Sequence, residues 1–159
     1  MNINRKTAKK LYHESPGWFK EQLEAEFGVD YFKLNSYKSI KTFEDACEEL
    51  EINPEEIFNE KDTPDEIAYK KLKIIVRAIN TNAKGETWVP DWNNTDQRKW
   101  WPWFVLSSGS GFGFSFSFYD YAITLTSVGA RLCFETKEQS DYAANQFIDI
   151  YEQFLTIKK

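Results

Sequence analysis

"FGFSFSF", residues 112–118, decides the fold class. Phe112, Phe114, Phe116 and Phe118 alternate with Gly113, Ser115 and Ser117, a period of two that belongs to a strand with one apolar and one small polar face. Four phenylalanines on one side predict that this side packs on a core. Just beyond, Tyr121, Ile123 and Leu125 alternate with Ala122, Thr124 and Thr126, so the apolar parity moves from even to odd. A turn or bulge near Tyr119-Asp120 would produce that change. "ARLCFE" at 130–135 reads as a third strand after a turn around Ser127–Gly129, and Phe104–Leu106 as a short fourth. "SSGSGFGF" at 107–114 has glycines enough for a phosphate loop, but such loops lead into a helix N-terminus and here a strand follows, so it reads as a hairpin or loop.

On either side of this stretch the spacing is helical. Ser15-Pro16 supplies a cap and a first-turn proline and Gly28 a C-terminal stop, giving a helix near 16–27. Thr42 caps a helix whose stripe is Phe43, Ala46, Cys47 and Leu50. "NPEE" at 53–56 and "TPDE" at 63–66 carry capping-box chemistry. The second opens a helix to about Asn80, burying Ala68, Leu72, Ile75 and Ile79, with Lys70, Lys73 and Arg77 on the opposite, solvated face. Thr136 and Gln139 form another capping box, opening a last helix over about 137–155 that buries Ala143, Phe147, Ile150 and Phe154. Helices, then a meander, then a helix make an α+β fold. The expectation is one domain over 1–159: a helical region over residues 1–85, an aromatic linker and three- to four-stranded antiparallel aromatic sheet (about 104–135) within 86–135, and a C-terminal helix within 136–157.

Composition narrows the function classes. At 159 residues the chain can bury a substantial core without staples. Cys47 and Cys133 lack metal or redox spacing and read as buried free thiols. No apolar run approaches the roughly 20 residues of a membrane span and the N-terminal segment lacks a signal-peptide centre, so a cytoplasmic protein is expected. His13 is the only histidine, which argues against a His-based triad or a multi-histidine metal site. Pro90-Asp91 with Glu135-Thr136-Lys137 matches the letters of a PD...ExK magnesium nuclease, but Thr136 is wanted as a helix cap and Lys137 then falls in the helix. From Glu44 to Glu66 eleven acids face one lysine, a local −10 in a chain of net −5, and capped helix N-termini account for most of them. No catalytic residue, cofactor or metal site is assigned.

The aromatics remain. "ETWVPDWNNTDQRKWWPWF", 86–104, holds five of the six tryptophans. Between Trp88 and Tyr121 stand twelve aromatic residues but only two cations, Arg98 and Lys99, too few for a nucleic-acid platform that follows a backbone. A small planar or sugar-like ligand needs less charge. In extended chain Trp101 and Trp103 share one side and Trp100 opposes them, so at least one ring should lie near the surface. The candidate binding residues are Trp88, Trp92, Asn93, Asn94, Arg98, Trp100, Trp101 and Arg131.

"SIKTFEDACEEL", "KLKIIVRAIN", "PDWNNTDQRKWWPWF" and "GARLCFETKEQSDYAANQFIDIYEQFL" resemble, in the same order, a family of small uncharacterised proteins encoded by bacteriophages and prophages. The resemblance implies a phage-derived accessory protein inside a bacterial host, and it lends no catalytic residue. The expectation is non-covalent binding of a small nucleotide- or sugar-like ligand or of a host protein, with no membrane partner. Single-stranded nucleic acid and the nuclease are the alternatives, and a homodimer is left open.

Overall fold

Local punctuation sets the first half of the chain. The computed structural model describes residues 3–32, 36–82, 84–107, 111–123 and 129–157. Helix α1 (Arg5–Glu14) begins where the Asn4 side chain accepts the Thr7 N–H, and α2 (Gly17–Phe27) ends at Gly28, whose φ of 86° is the left-handed geometry glycine tolerates. Pro16 takes the cap position of α2 rather than the first helical one, while the Ser15 hydroxyl turns back to the Leu11 carbonyl and closes α1. Helix α3 (Phe43–Glu49) is capped by Thr42 as expected, here in a full box with Asp45, and α4 (Pro64–Ile79) carries the expected box between Thr63 and Glu66. "NPEE" makes only one 3-10 turn, Pro54–Glu56.

Two apolar clusters result. Ala8, Leu23, Tyr31 and Phe32 form a small one within the N-terminal helices. The main core joins α3 and α4 to the C-terminal half, and Ala68, Leu72, Ile75 and Ile79 are all fully buried as their spacing predicts. A polar seam connects the clusters: Lys9 pairs with Glu49, both buried, and the Tyr31 hydroxyl donates to the other Glu49 oxygen at 2.8 Å. Arg5 adds pairs to Asp45 (2.9 Å) and Glu48 (3.1 Å).

The sheet is smaller than expected. Among the described residues it is one antiparallel pair, β1 (Lys99–Ser107) with β2 (Gly111–Asp120), so the short strand at 104–106 is the end of a long one, while residues 108–110 of "SSGSGFGF", read as a hairpin or loop, lie outside the described residues. The third strand at 130–135 is absent: Ala130–Leu132 is a 3-10 turn entered through Gly129 at φ 60°, and Phe134 alone bridges to Trp100. The reason lies in Asn80, whose amide donates to the Cys133 carbonyl (2.9 Å) and accepts the Glu135 N–H (3.2 Å), occupying groups a further strand would need. Strand β2 stops at Asp120, whose carboxylate takes the N–H groups of Tyr121, Ala122 and Ile123; the expected alternation from 124 onward lies outside the described residues.

A bulge also divides the phenylalanines. The register steps from Trp103↔Phe116 to Phe104↔Phe114, leaving Ser115 as the extra residue. Phe112 and Phe114 therefore join Phe104 on the inner face, whereas Phe116 and Phe118 stack about Trp103 on the outer one. The single buried face predicted for all four is thus corrected: Phe116 and Phe118 are about half exposed (48% and 50%). The inner face meets α5 (Lys137–Gln146) through a Ser117–Ser140 hydroxyl pair at 2.8 Å, and α6 (Ile148–Leu155) through Phe104 on Tyr151, ring centres 4.7 Å apart. One continuous helix was expected here; it breaks at Phe147 (φ −116°, ψ 30°), so that α5 can lie on the ribbon while α6 packs along α4. The product is a single α+β domain.

Candidate functional site

The chain reverses immediately after α4. Thr81 bridges to Thr87, and the Trp88 N–H donates to the Asn80 carbonyl at 2.9 Å, which lays the tryptophan segment against the end of α4. From there to β1 the backbone is irregular and held by short-range turns: Asp91 accepts the Asn93 N–H, Asn94 the Asp96 N–H, and Gln97 reaches back to the Asp91 N–H at 2.7 Å.

Lys99 anchors this loop. Its side chain is fully buried, and its ammonium donates to the carbonyls of Asn94 (3.2 Å), Gln97 (2.9 Å) and Tyr121 (2.6 Å). The same ammonium lies 5.2 Å from the centre of the Trp92 ring. Carbonyl dipoles and an indole face thus compensate a charge that, among the described residues, no carboxylate pairs. Asp120, opposite Lys99 in the ribbon, feels burial that would raise its pKa. The N–H groups of Ala122, Tyr121 and Ile123, together with the Lys99 charge, outweigh burial and hold it below the usual carboxylate range.

Between α4 and residues 87–92 runs a groove of about 920 Å³, within the size of small-molecule sites. Lys70, Lys73, Ile74 and Arg77 of α4 form one wall, Trp88, Val89, Pro90 and Trp92 the other, and Ala130, Arg131 and Cys133 close it. Three of the candidate residues, Trp88, Trp92 and Arg131, meet here. The helix face read as merely solvated meets them, a juxtaposition that depends on the turn at 81–87 and has no signature in either segment alone. No Asp or Glu lines the groove.

The other candidates go elsewhere. Arg98 and Trp100 line a second recess of about 500 Å³ together with Gln97, Glu135, Thr136, Lys137 and Glu138, with Trp88 shared between the two. Arg98 is engaged there: its Nε donates to the Tyr121 hydroxyl at 3.3 Å and its guanidinium lies over the Tyr119 ring at 4.7 Å. Trp101 is buried beneath Trp92, rings nearly parallel and 6.4 Å apart, its indole N–H directed at the Gly129 carbonyl. Asn93 and Asn94 are exposed turn residues and line neither recess. Trp103 lies on the outer face of the ribbon, opposite in direction to Trp100, as alternation requires.

Lys99 is the residue that sequence reasoning missed. It shares the parity of Trp101 and Trp103, which was its only available signal.

For the nuclease letters, Lys137 begins α5 and pairs with Asp141 one turn on, and Asp91 is absent from the residues lining the second recess. Among the described residues no group of three or more His, Cys, Asp or Glu could hold a metal ion. Among them, too, no helix is long and apolar enough to cross a membrane. The Cys133 thiol beneath the groove is pushed up to about 12 by burial, and that of Cys47 to about 11 by burial and the Glu44 charge.

Compared with known proteins, the chain matches no family model, no curated protein and no solved structure.

Proposed function

We propose that the chain works by non-covalent binding, with the groove between α4 and the Trp88–Trp92 segment as its site. The ligand class is small and partly planar, nucleotide-like or sugar-like. One observation carries this reading: two indoles and Arg131, singled out as binding residues from the sequence, line the same groove as Lys73 and Arg77. Indole faces supply stacking area, and the cations give orientation to a polar or charged substituent. The resemblance of "PDWNNTDQRKWWPWF" and its companion segments supports a phage- or prophage-type accessory role in the bacterial cytoplasm, sequestering a small host molecule or blocking a host protein.

A panel of nucleotides and sugars tests this through tryptophan fluorescence and thermal melting. At least one member should quench saturably and raise Tm; a panel with neither effect contradicts the reading. A second reading, single-stranded nucleic acid, is favoured by the sharing of Trp88 between two recesses, the second of which carries Arg98. It requires oligonucleotide binding that weakens steeply with salt.

A further inference from the structure

We infer that the ligand of the groove is a nucleoside phosphate, its phosphate held between Arg77 and Arg131 and its base stacked on Trp88. This rests on the binding reading and narrows it to one chemical class.

The first support is the state of the groove's cations. Lys70 is neutralised by Asp62, and the Lys73 ammonium lies over the Tyr69 ring at 4.9 Å. Arg77 and Arg131 are exposed, and among the described residues neither guanidinium has an ion-pair, hydrogen-bond or ring partner. The last-turn position of Arg77 on α4 suits the helix dipole, which accounts for that residue alone. Arg131 comes from the separate 3-10 turn that closes the groove and has no such reason to be there. In a chain of net charge −5, a groove with four cations and no carboxylate is a local inversion of sign. Two guanidinium forks present more donors than one carboxylate has oxygens. A phosphomonoester, with a charge approaching −2 and three terminal oxygens, matches them better.

The second support separates the indoles. Trp92 is engaged with Trp101 and Lys99, Trp100 with Tyr119, and Trp103 with Phe116 and Phe118. Trp88 is half-buried, lines the groove, and among the described residues has no aromatic or cationic partner on its ring. It is the indole whose face is open to a base, and base stacking tolerates any base identity.

Calorimetry and tryptophan quenching with AMP, adenosine and inorganic phosphate test the assignment. AMP should bind, with adenosine and inorganic phosphate each weaker by about tenfold or more. The Arg77→Gln/Arg131→Gln double variant should bring AMP down to the adenosine level while leaving adenosine within about twofold and the melting curve unchanged. Adenosine or inorganic phosphate binding as tightly as AMP overturns the inference, as does a double variant that keeps the AMP affinity. If a neutral sugar binds and AMP does not, the nucleoside phosphate is wrong while the groove remains a binding site; if nothing binds, both fall.

Discussion

Two aromatic surfaces lie at opposite ends of the same stretch of chain, and they differ in charge. The groove sets Trp88 and Trp92 among Lys70, Lys73, Arg77 and Arg131. The outer face of the ribbon exposes Trp103, Val105, Phe116 and Phe118, each at 46–50%, and between Trp100 and Ser107 and between Gly111 and Tyr119 the strands contain no charged residue. Both offer ring area, so area cannot separate them. The cations do, because of these two surfaces the groove alone offers guanidinium and ammonium groups to an anion.

Lys99 connects the two surfaces, so its loss should have the largest effect. Lys99→Met removes the ammonium from three carbonyls, leaving that of Asn94 only the Gln97 N–H, and removes the cation beneath Trp92. A loss of about 3 kcal/mol or more is expected in urea unfolding, accompanied by loss of groove binding. An unchanged midpoint would mean that the loop holds itself.

Next comes the bulge at Ser115, which separates the inner ring Phe112 from the outer ring Phe118. Phe112→Ala should cost about 2 kcal/mol, below the value for a fully buried phenylalanine, and Phe118→Ala under about 1 kcal/mol with ligand binding unaltered. Equal costs would put all four phenylalanines back on one face. Smaller again is Tyr151→Phe. The Tyr151 hydroxyl is buried without a hydrogen-bond partner among the described residues, and burial raises its pKa. The variant should be neutral or more stable by up to about 1 kcal/mol, read from the same curves.

The thiols give the finest contrast. With values of about 11 for Cys47 and about 12 for Cys133, native protein should stay almost inert to a thiol reagent at pH 9, Cys133 beneath the groove being the slower. Reactivity should rise as pH approaches those values, and denaturant should release both thiols together. Rapid labelling of native Cys133 would mean that the groove opens.

What the sequence made legible was local. Caps at Thr42, Thr63 and Thr136 and the stripe Ala68, Leu72, Ile75 and Ile79 are written in adjacent residues, and the helices they predict are present. Alternation at 112–118 identified a strand, but alternation counts residues and cannot register the extra one a bulge leaves unpaired. The "ARLCFE" segment has strand composition, yet Asn80, more than fifty residues earlier, takes its backbone groups. Likewise the basic face of α4 and the tryptophans were each visible, while their meeting depends on one turn at 81–87. Of the candidate residues, those that gather at the groove are the ones beside that turn or facing it.

The most direct test follows the six indole N–H resonances, assigned by single Trp→Phe variants, while AMP is titrated into the protein. Trp88 should shift most and saturably, Trp92 should follow, and Trp103 on the uncharged face should stay still. A shift confined to Trp103, or none at saturating AMP, would contradict the assignment of the groove as the binding site.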